Sequence, residues 1–202
     1  MLQNYVAMAT GLKLINMNDF NQIIEKYPLL FDGISPQEPF ALFGFECDIG
    51  WFNIIKNACH VMYRDYAQSK RQYDYAQNSL NHFDQYLLNR RTYDKKTSEQ
   101  QMLKELETWR DNHESAMNEA VKQMPKIAQI KEKFGTLRIY VDNISEKYST
   151  VIDYAEAMSE VTCEVCGNTG KTYEMDWFKT LCKEHAIKRY GLEKVEKYEN
   201  KY

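Results

Sequence analysis

Apolar residues first recur at helical spacing, as Phe20, Ile23, Ile24 and Tyr27. Asn18 or Asp19 is placed to cap that helix, and Pro28 to end or bend it. A loop rich in Gly, Ser and Pro follows, up to Pro39. Phe40–Glu46 is a run of aromatic and apolar residues that reads as a buried strand, with Cys47-Asp48-Ile49-Gly50 as the turn out of it. From Trp51 the period changes. Ile55, Cys59, Met62, Tyr66, Ser69, Tyr73, Ala76, Leu80, Phe83 and Leu87 alternate four and three apart, describing one seam of a long helix or of a closely broken pair.

Polar residues Asn89–Asp94 interrupt the seam. Thr97 and Ser98, with Gln100 and Gln101 at capping-box spacing, start another helix whose seam is Met102, Leu106, Trp109, His113, Ala116, Ala120 and Met124. Pro125 stops it, so two helices in hairpin order form an antiparallel arm. Its Tyr and Met positions read as packing, and His113 as a half-buried helix residue. Beyond Pro125 the period becomes two. Ile127–Glu132 and Thr136–Val141 flank Lys133-Phe134-Gly135, with Leu137, Ile139 and Val141 on one buried face of a hairpin. Asn143 or Ser145 then caps a helix carrying Tyr148, Val151, Ile152, Ala155 and Met158, which runs directly to Thr162.

The expected fold is α+β: a small antiparallel sheet with helices, an inserted antiparallel helical arm at about 52–124, and a C-terminal module at 161–202. The α+β body spans 17–160. Residues 1–16 are poorly patterned, as expected of a mobile extension or of a start at Met17. No Gly- or Pro-rich linker precedes Cys163, so the module is expected to dock on the body.

Composition narrows this picture only modestly. A net charge of −3 argues against a general nucleic-acid coat, which needs clustered cations. The tail from Lys179 to Tyr202 differs, with seven Lys or Arg against four Glu. That is either a small basic surface or a solvated helix face of interleaved Glu and Lys. No apolar run approaches membrane-spanning length, no basic segment leads into an apolar stretch at the start, and five cysteines suit a reducing compartment. The expectation is a cytoplasmic protein with no membrane partner.

Cys163 and Cys166, with fifteen residues between them and Cys182 and His185, make a CxxC and CxxH pair with the spacing of one tetrahedral zinc site. Gly167 suits the left-handed backbone of a knuckle, and Cys182 to Arg189 has the composition of a helix start. Knuckle, hairpin and helix together describe a treble clef. Three thiolates and one imidazole fill the tetrahedron, so the expected cofactor is one structural zinc per chain with no open position for catalysis. No His-x-Glu precedes Cys163, which excludes the nucleobase-deaminase pattern, and no βαβ context supports a thioredoxin-like pair.

Gly44–Trp51, Gln129–Arg138, and Thr162–Gly167 with Leu181–His185 together resemble a family of small phage and prophage proteins of undescribed activity. Its members carry a GFEC-x-x-GW segment, a KEKFG-x-LR segment and a TCEVCG knuckle in this order, and the resemblance covers most of the chain from Met17. Ile49 departs from the small or acidic residue of the pattern, and the arm between Lys70 and Gln123 is longer than the family's. The resemblance implies viral origin, accessory status and residence in the host cytoplasm, and supplies no activity.

Glu46, Asp48 and Trp51 at a strand-to-helix junction, with Lys131, Lys133 and Arg138 on the hairpin, form a candidate ligand or interaction surface. Trp51 would stack and the cations would meet phosphate or carboxylate. The competing arrangement pairs Glu46 with Arg138 across strands while Trp51 plugs the core. Cys47 and Cys59 read as buried free thiols, and Cys59-His60 point apart on a helix. The functional expectation is an accessory protein that binds a host protein or small ligand rather than catalysing a reaction, with self-association through the arm as a further contact. Alternatives are nucleic-acid binding by the basic C-terminal module and an enzyme site around Glu46, Asp48 and Arg138.

Overall fold

The computed structural model describes residues 17–92 and 94–201, so the expectation for residues 1–16 lies outside the described residues. Two compact units emerge: Tyr63–Met124, and the remainder of the described chain.

The larger unit opens with α1 (Met17–Lys26), followed by a 3-10 turn at Pro28–Leu30 that Pro28 initiates. Where an aromatic strand was expected, α2 (Pro39–Phe43) forms instead, and only Phe45–Glu46 are extended as β1. Pro39 sits in the first turn of α2, where its fixed φ suits a helix start, and Gly44 ends it at φ 65°. This bend carries Phe40 and Phe45 into one aromatic cluster. Phe20 stacks on Phe45 with centroids 4.5 Å apart, and Phe40 meets Phe45 edge-on at 5.1 Å.

A 3-10 turn at Ile49–Trp51 leads into α3 (Phe52–Asn81), whose first residues belong to this unit and bury Ile55, Cys59 and Met62. After the smaller unit, β2 (Lys126–Lys133) and β3 (Thr136–Asp142) pair antiparallel, while β1 pairs with β2 in parallel. The sheet is therefore mixed, in the order β1-β2-β3, rather than antiparallel throughout. A parallel pair needs a long crossover, which the residues between β1 and β2 supply.

Phe45, Ile130 and Ile139 align on the inner face, and Glu46, Lys131 and Arg138 align on the outer one. The β2–β3 loop holds just Phe134 and Gly135, both at positive φ (54° and 79°), the signature of a type I′ turn. α6 (Glu146–Ser159) covers the open edge of β3. Leu137 N–H donates to Ser159 Oγ at 2.8 Å, and Ile139 N–H to Glu156 Oε1 at 3.1 Å. Edge donors that would otherwise invite another strand are thereby satisfied. The unit ends with the hairpin β4 (Lys171–Glu174) and β5 (Phe178–Leu181), then α7 (Lys183–Tyr190) and α8 (Leu192–Glu199).

The smaller unit contains the rest of α3, α4 (Phe83–Arg91) and α5 (Glu99–Gln123). Of the two arrangements expected for this seam, one long helix or a closely broken pair, the pair is present, split at His82. Ser98 caps α5, accepting from Gln101 N–H at 3.2 Å. Tyr75 meets Trp109, Arg90 meets Glu105 and Arg91 meets Glu99, so the partners run in opposite sense along the chain, as in an antiparallel hairpin. His113 is half-buried, and its Nδ1 has no hydrogen-bond partner among the described residues. No helix among the described residues is long and apolar enough to cross a membrane.

Candidate metal centre and its junction with the body

Metal-binding geometry begins with the backbone. Cys163 N–H donates to Asn168 O at 2.7 Å and Gly167 N–H to Cys163 O at 2.8 Å, closing a tight loop in which Gly167 sits at φ 78°. Only glycine enters that region without strain, so the loop turns both thiols the same way. Cys182 is the N-cap of α7, which places His185 one turn later on the same side.

The four donor atoms of Cys163, Cys166, Cys182 and His185 lie within 4.8 Å of one another and can hold one metal ion. Cys166 and Cys182 sulfurs are 3.8 Å apart, and His185 Nδ1 is 3.6 Å from Cys163 Sγ and 3.1 Å from Cys182 Sγ. Burial of Cys163 opposes its ionisation, but backbone N–H groups of Cys182, Cys166 and Val165 outweigh it and hold the thiol below its ordinary value. Desolvation and the adjacent thiols push Cys166 up to about 11. Three sulfurs this close ionise together only with a cation between them. Cys47 and Cys59 are different, since both are buried away from the cluster. Burial pushes the Cys47 thiol well up and the Cys59 thiol up to about 12, so neither is a nucleophile at neutral pH.

Around this cluster Gly44–Trp51, Gln129–Arg138 and the knuckle at 162–167 meet. Gly50 N–H donates to Glu164 O at 2.7 Å, Asp48 N–H to Glu164 Oε1 at 3.4 Å, and Trp51 Nε1–H to Thr162 O at 2.8 Å. Trp51 is fully buried. A ligand cannot stack on it, and its place in the candidate surface is corrected to a core plug whose indole N–H anchors the knuckle. Asp48 likewise belongs to this junction. From the hairpin, Gly135 O accepts from Thr180 Oγ1 at 2.7 Å, and Glu132 meets Lys179 at 2.9 Å. Lys179 also meets Glu164 at 2.7 Å.

Sequence reasoning missed Glu132, Glu164 and Lys179, because nothing in a linear pattern pairs residues so far apart. Glu164 is only 2% exposed, and its position inside the CxxC, fixed against the body by the knuckle, was the available signal. Desolvation of Lys179 is outweighed by Glu164 and Glu132, which keep its ammonium above the ordinary lysine value. Lys179→Met leaves two close carboxylates without their shared cation. The expected cost is about 3–5 kcal/mol in urea unfolding, and a loss below about 1 kcal/mol would show the bridge to be incidental.

The remaining candidate residues stay on the outer sheet face, but not as a Glu46–Arg138 pair. Lys131 stands between them in register. Glu46 Oε1 accepts from Gln129 Nε2 at 2.8 Å, and Arg138 pairs with Glu156 at 3.4 Å. Lys131 and Lys133 lie over the rings of Tyr140 and Phe134 at 5.2 and 5.6 Å, and neither is in an ion pair among the described residues. The chain matches no protein-family model, and no curated protein or solved structure is significantly similar to it.

Proposed function

We propose that this chain is a phage-encoded accessory protein in which one structural zinc locks a treble-clef module onto an α+β body, and which binds a host protein or small ligand rather than transforming a substrate. The observation that carries this reading is the closed geometry of the ligand set. A tetrahedral zinc with ordinary Zn–S and Zn–N bonds requires S···S edges of about 3.8 Å and S···N edges of about 3.6 Å. Cys166 to Cys182 and Cys163 to His185 match those edges, and Cys182 to His185, at 3.1 Å, is shorter than the ideal S···N edge. Four protein donors complete the coordination shell, and the knuckle between them is turned into the body, where Gly50 and Trp51 use its carbonyls. The metal's contribution is then to folding. The treble-clef order of knuckle, hairpin and helix, and the resemblance to phage proteins, support the same reading.

Binding would take place on the outer face of the sheet, in the host cytoplasm. Metal analysis of the purified chain should give one zinc per chain. Capture from host lysate, together with a thermal-shift screen of metabolites, should yield a partner or ligand that Lys131→Glu weakens. Turnover of a substrate by the zinc-loaded chain, with neither partner nor ligand found, would sink the binding reading.

A further inference from the structure

The outer face of the β2–β3 hairpin continues onto the tip of β4–β5 as a stripe of exposed rings and cations. Tyr140 is 41% exposed, Phe134 58% and Phe178 39%, and Trp177 beside Phe178 is 56% exposed. Phe134 and Phe178 meet edge-on with centroids 6.2 Å apart, joining the body's turn to the metal module. Lys131 and Lys133 lie over Tyr140 and Phe134. Neither is in an ion pair among the described residues, whereas Glu132 is paired with Lys179 and Glu156 with Arg138; Glu46 accepts from the neutral Gln129 amide, and Asp142 is exposed on the same face beyond Tyr140. Asp176 and Glu174, at the β4–β5 bend, are the acidic groups at the stripe's far end.

Phe134 is the informative residue. A type I′ turn favours Asn-Gly, since both central residues need positive φ, yet a bulky phenylalanine stands at φ 54° with most of its ring in water. Its backbone is strained and its apolar surface is exposed, both against the stability of the turn. Strain retained with an exposed ring points to use of the ring.

We propose that this stripe binds single-stranded nucleic acid, with Phe134, Tyr140 and the rings at the β4–β5 tip stacking unpaired bases and Lys131 and Lys133 meeting phosphates. Rings with interleaved cations suit a single strand, because each base presents a stacking face and each step a phosphate. A duplex offers the phosphates but keeps its base faces inside the stack. From Tyr140 to Thr136 β3 extends about 13 Å at ~3.3 Å per residue, with Phe134 beyond it in the turn, which is longer than one nucleotide and commits the stripe to a strand rather than a mononucleotide. The inference rests on the outer face being the binding surface, and it goes beyond a host protein or small ligand as the occupant.

The test is fluorescence anisotropy of labelled oligothymidylate and oligouridylate of about 12 nucleotides against the zinc-loaded chain, at about 50 and 200 mM salt. Binding should weaken steeply with salt. Phe134→Asn, which suits the turn and should be at least as stable, should weaken binding about ten-fold, the effect of one lost stack. Lys131→Glu with Lys133→Glu should abolish binding and flatten the salt dependence. No binding at low salt, equal binding by either variant, or duplex or mononucleotide bound as tightly as the strand would each overturn the proposal. A host protein captured by the wild type and lost from these variants, with no oligonucleotide bound, would retain the outer face and overturn only the nucleic acid.

Discussion

Gly50→Ala should destabilise the larger unit by roughly 3 kcal/mol or more and weaken metal retention with it. A Cβ at this position would stand 2.6 Å from the carbonyl carbon of Glu164, and closer still to the carbonyl oxygens of Cys163 and Glu164. Backbone, unlike the end of a flexible side chain, cannot swing aside. The knuckle would have to withdraw, taking with it the 2.7 Å bond from Gly50 N–H to Glu164 O and the 2.8 Å bond from Trp51 to Thr162 O. Gly44→Ala is the control for backbone strain without a clash: Gly44 is at φ 65° and ψ −133° with open space around it, and the substitution should cost about 1–3 kcal/mol while leaving zinc retention unchanged. Urea unfolding of both variants, with zinc content measured on the same samples, checks this. Equal effects of the two substitutions would mean that the close approach does not hold the module.

Local signals in the sequence located most elements, because caps, prolines and turn residues act over a few positions. Ser98, Pro125, Phe134-Gly135 and Cys182 all stand where an element begins, ends or reverses. The ligand set was legible for the same reason, since each pair brackets two residues. Phe40–Phe43 failed because a short apolar run does not distinguish strand from buried helix by period alone, and Pro39 at the first turn decided for helix. The candidate surface failed in part for a different reason. Glu46, Asp48 and Trp51 are neighbours in sequence, but β1 ends between them. Glu46 stays on the sheet while Asp48 and Trp51 turn to the knuckle.

What joins Gly44–Trp51, Gln129–Arg138 and the knuckle at 162–167 is long-range and backbone-mediated. Gly50, Gly135 and Gly167 are spread through the chain, and each meets the metal module or forms part of it. Gly50 is needed for close approach, whereas Gly135 and Gly167 also have left-handed backbones. Lys179, from the hairpin between the ligand pairs, then fills the charge between Glu132 and Glu164. The Cys163, Cys166, Cys182 and His185 cluster and the body are thus one packing problem, which bears directly on what a metal held by the cluster would do.

Cys163→Ser, or chelation of the wild type, should expose Trp51 as well as loosen the tail. Cys163 is fully buried at the head of a small core with Tyr173, Leu181, Ala186 and Val195. That core is too small to hold the knuckle once three neighbouring thiols lose the cation that lets them share the site. Zinc binding in small modules contributes on the order of 10 kcal/mol, so even a partial loss is a large destabilisation. Thr162 and Glu164 flank Cys163 directly, and through them Trp51 and Gly50 lose their acceptors. In a background of Trp109→Phe and Trp177→Phe, both exposed tryptophans in the wild type, the remaining Trp51 emission should shift to the red on metal removal and return on adding zinc. Cys166→Ser, at an exposed ligand, should reproduce the metal loss with a smaller stability change. An unchanged Trp51 spectrum and an unchanged unfolding midpoint in metal-free protein would show that the module is docked without the ion, and would separate the metal from the junction it is proposed to hold.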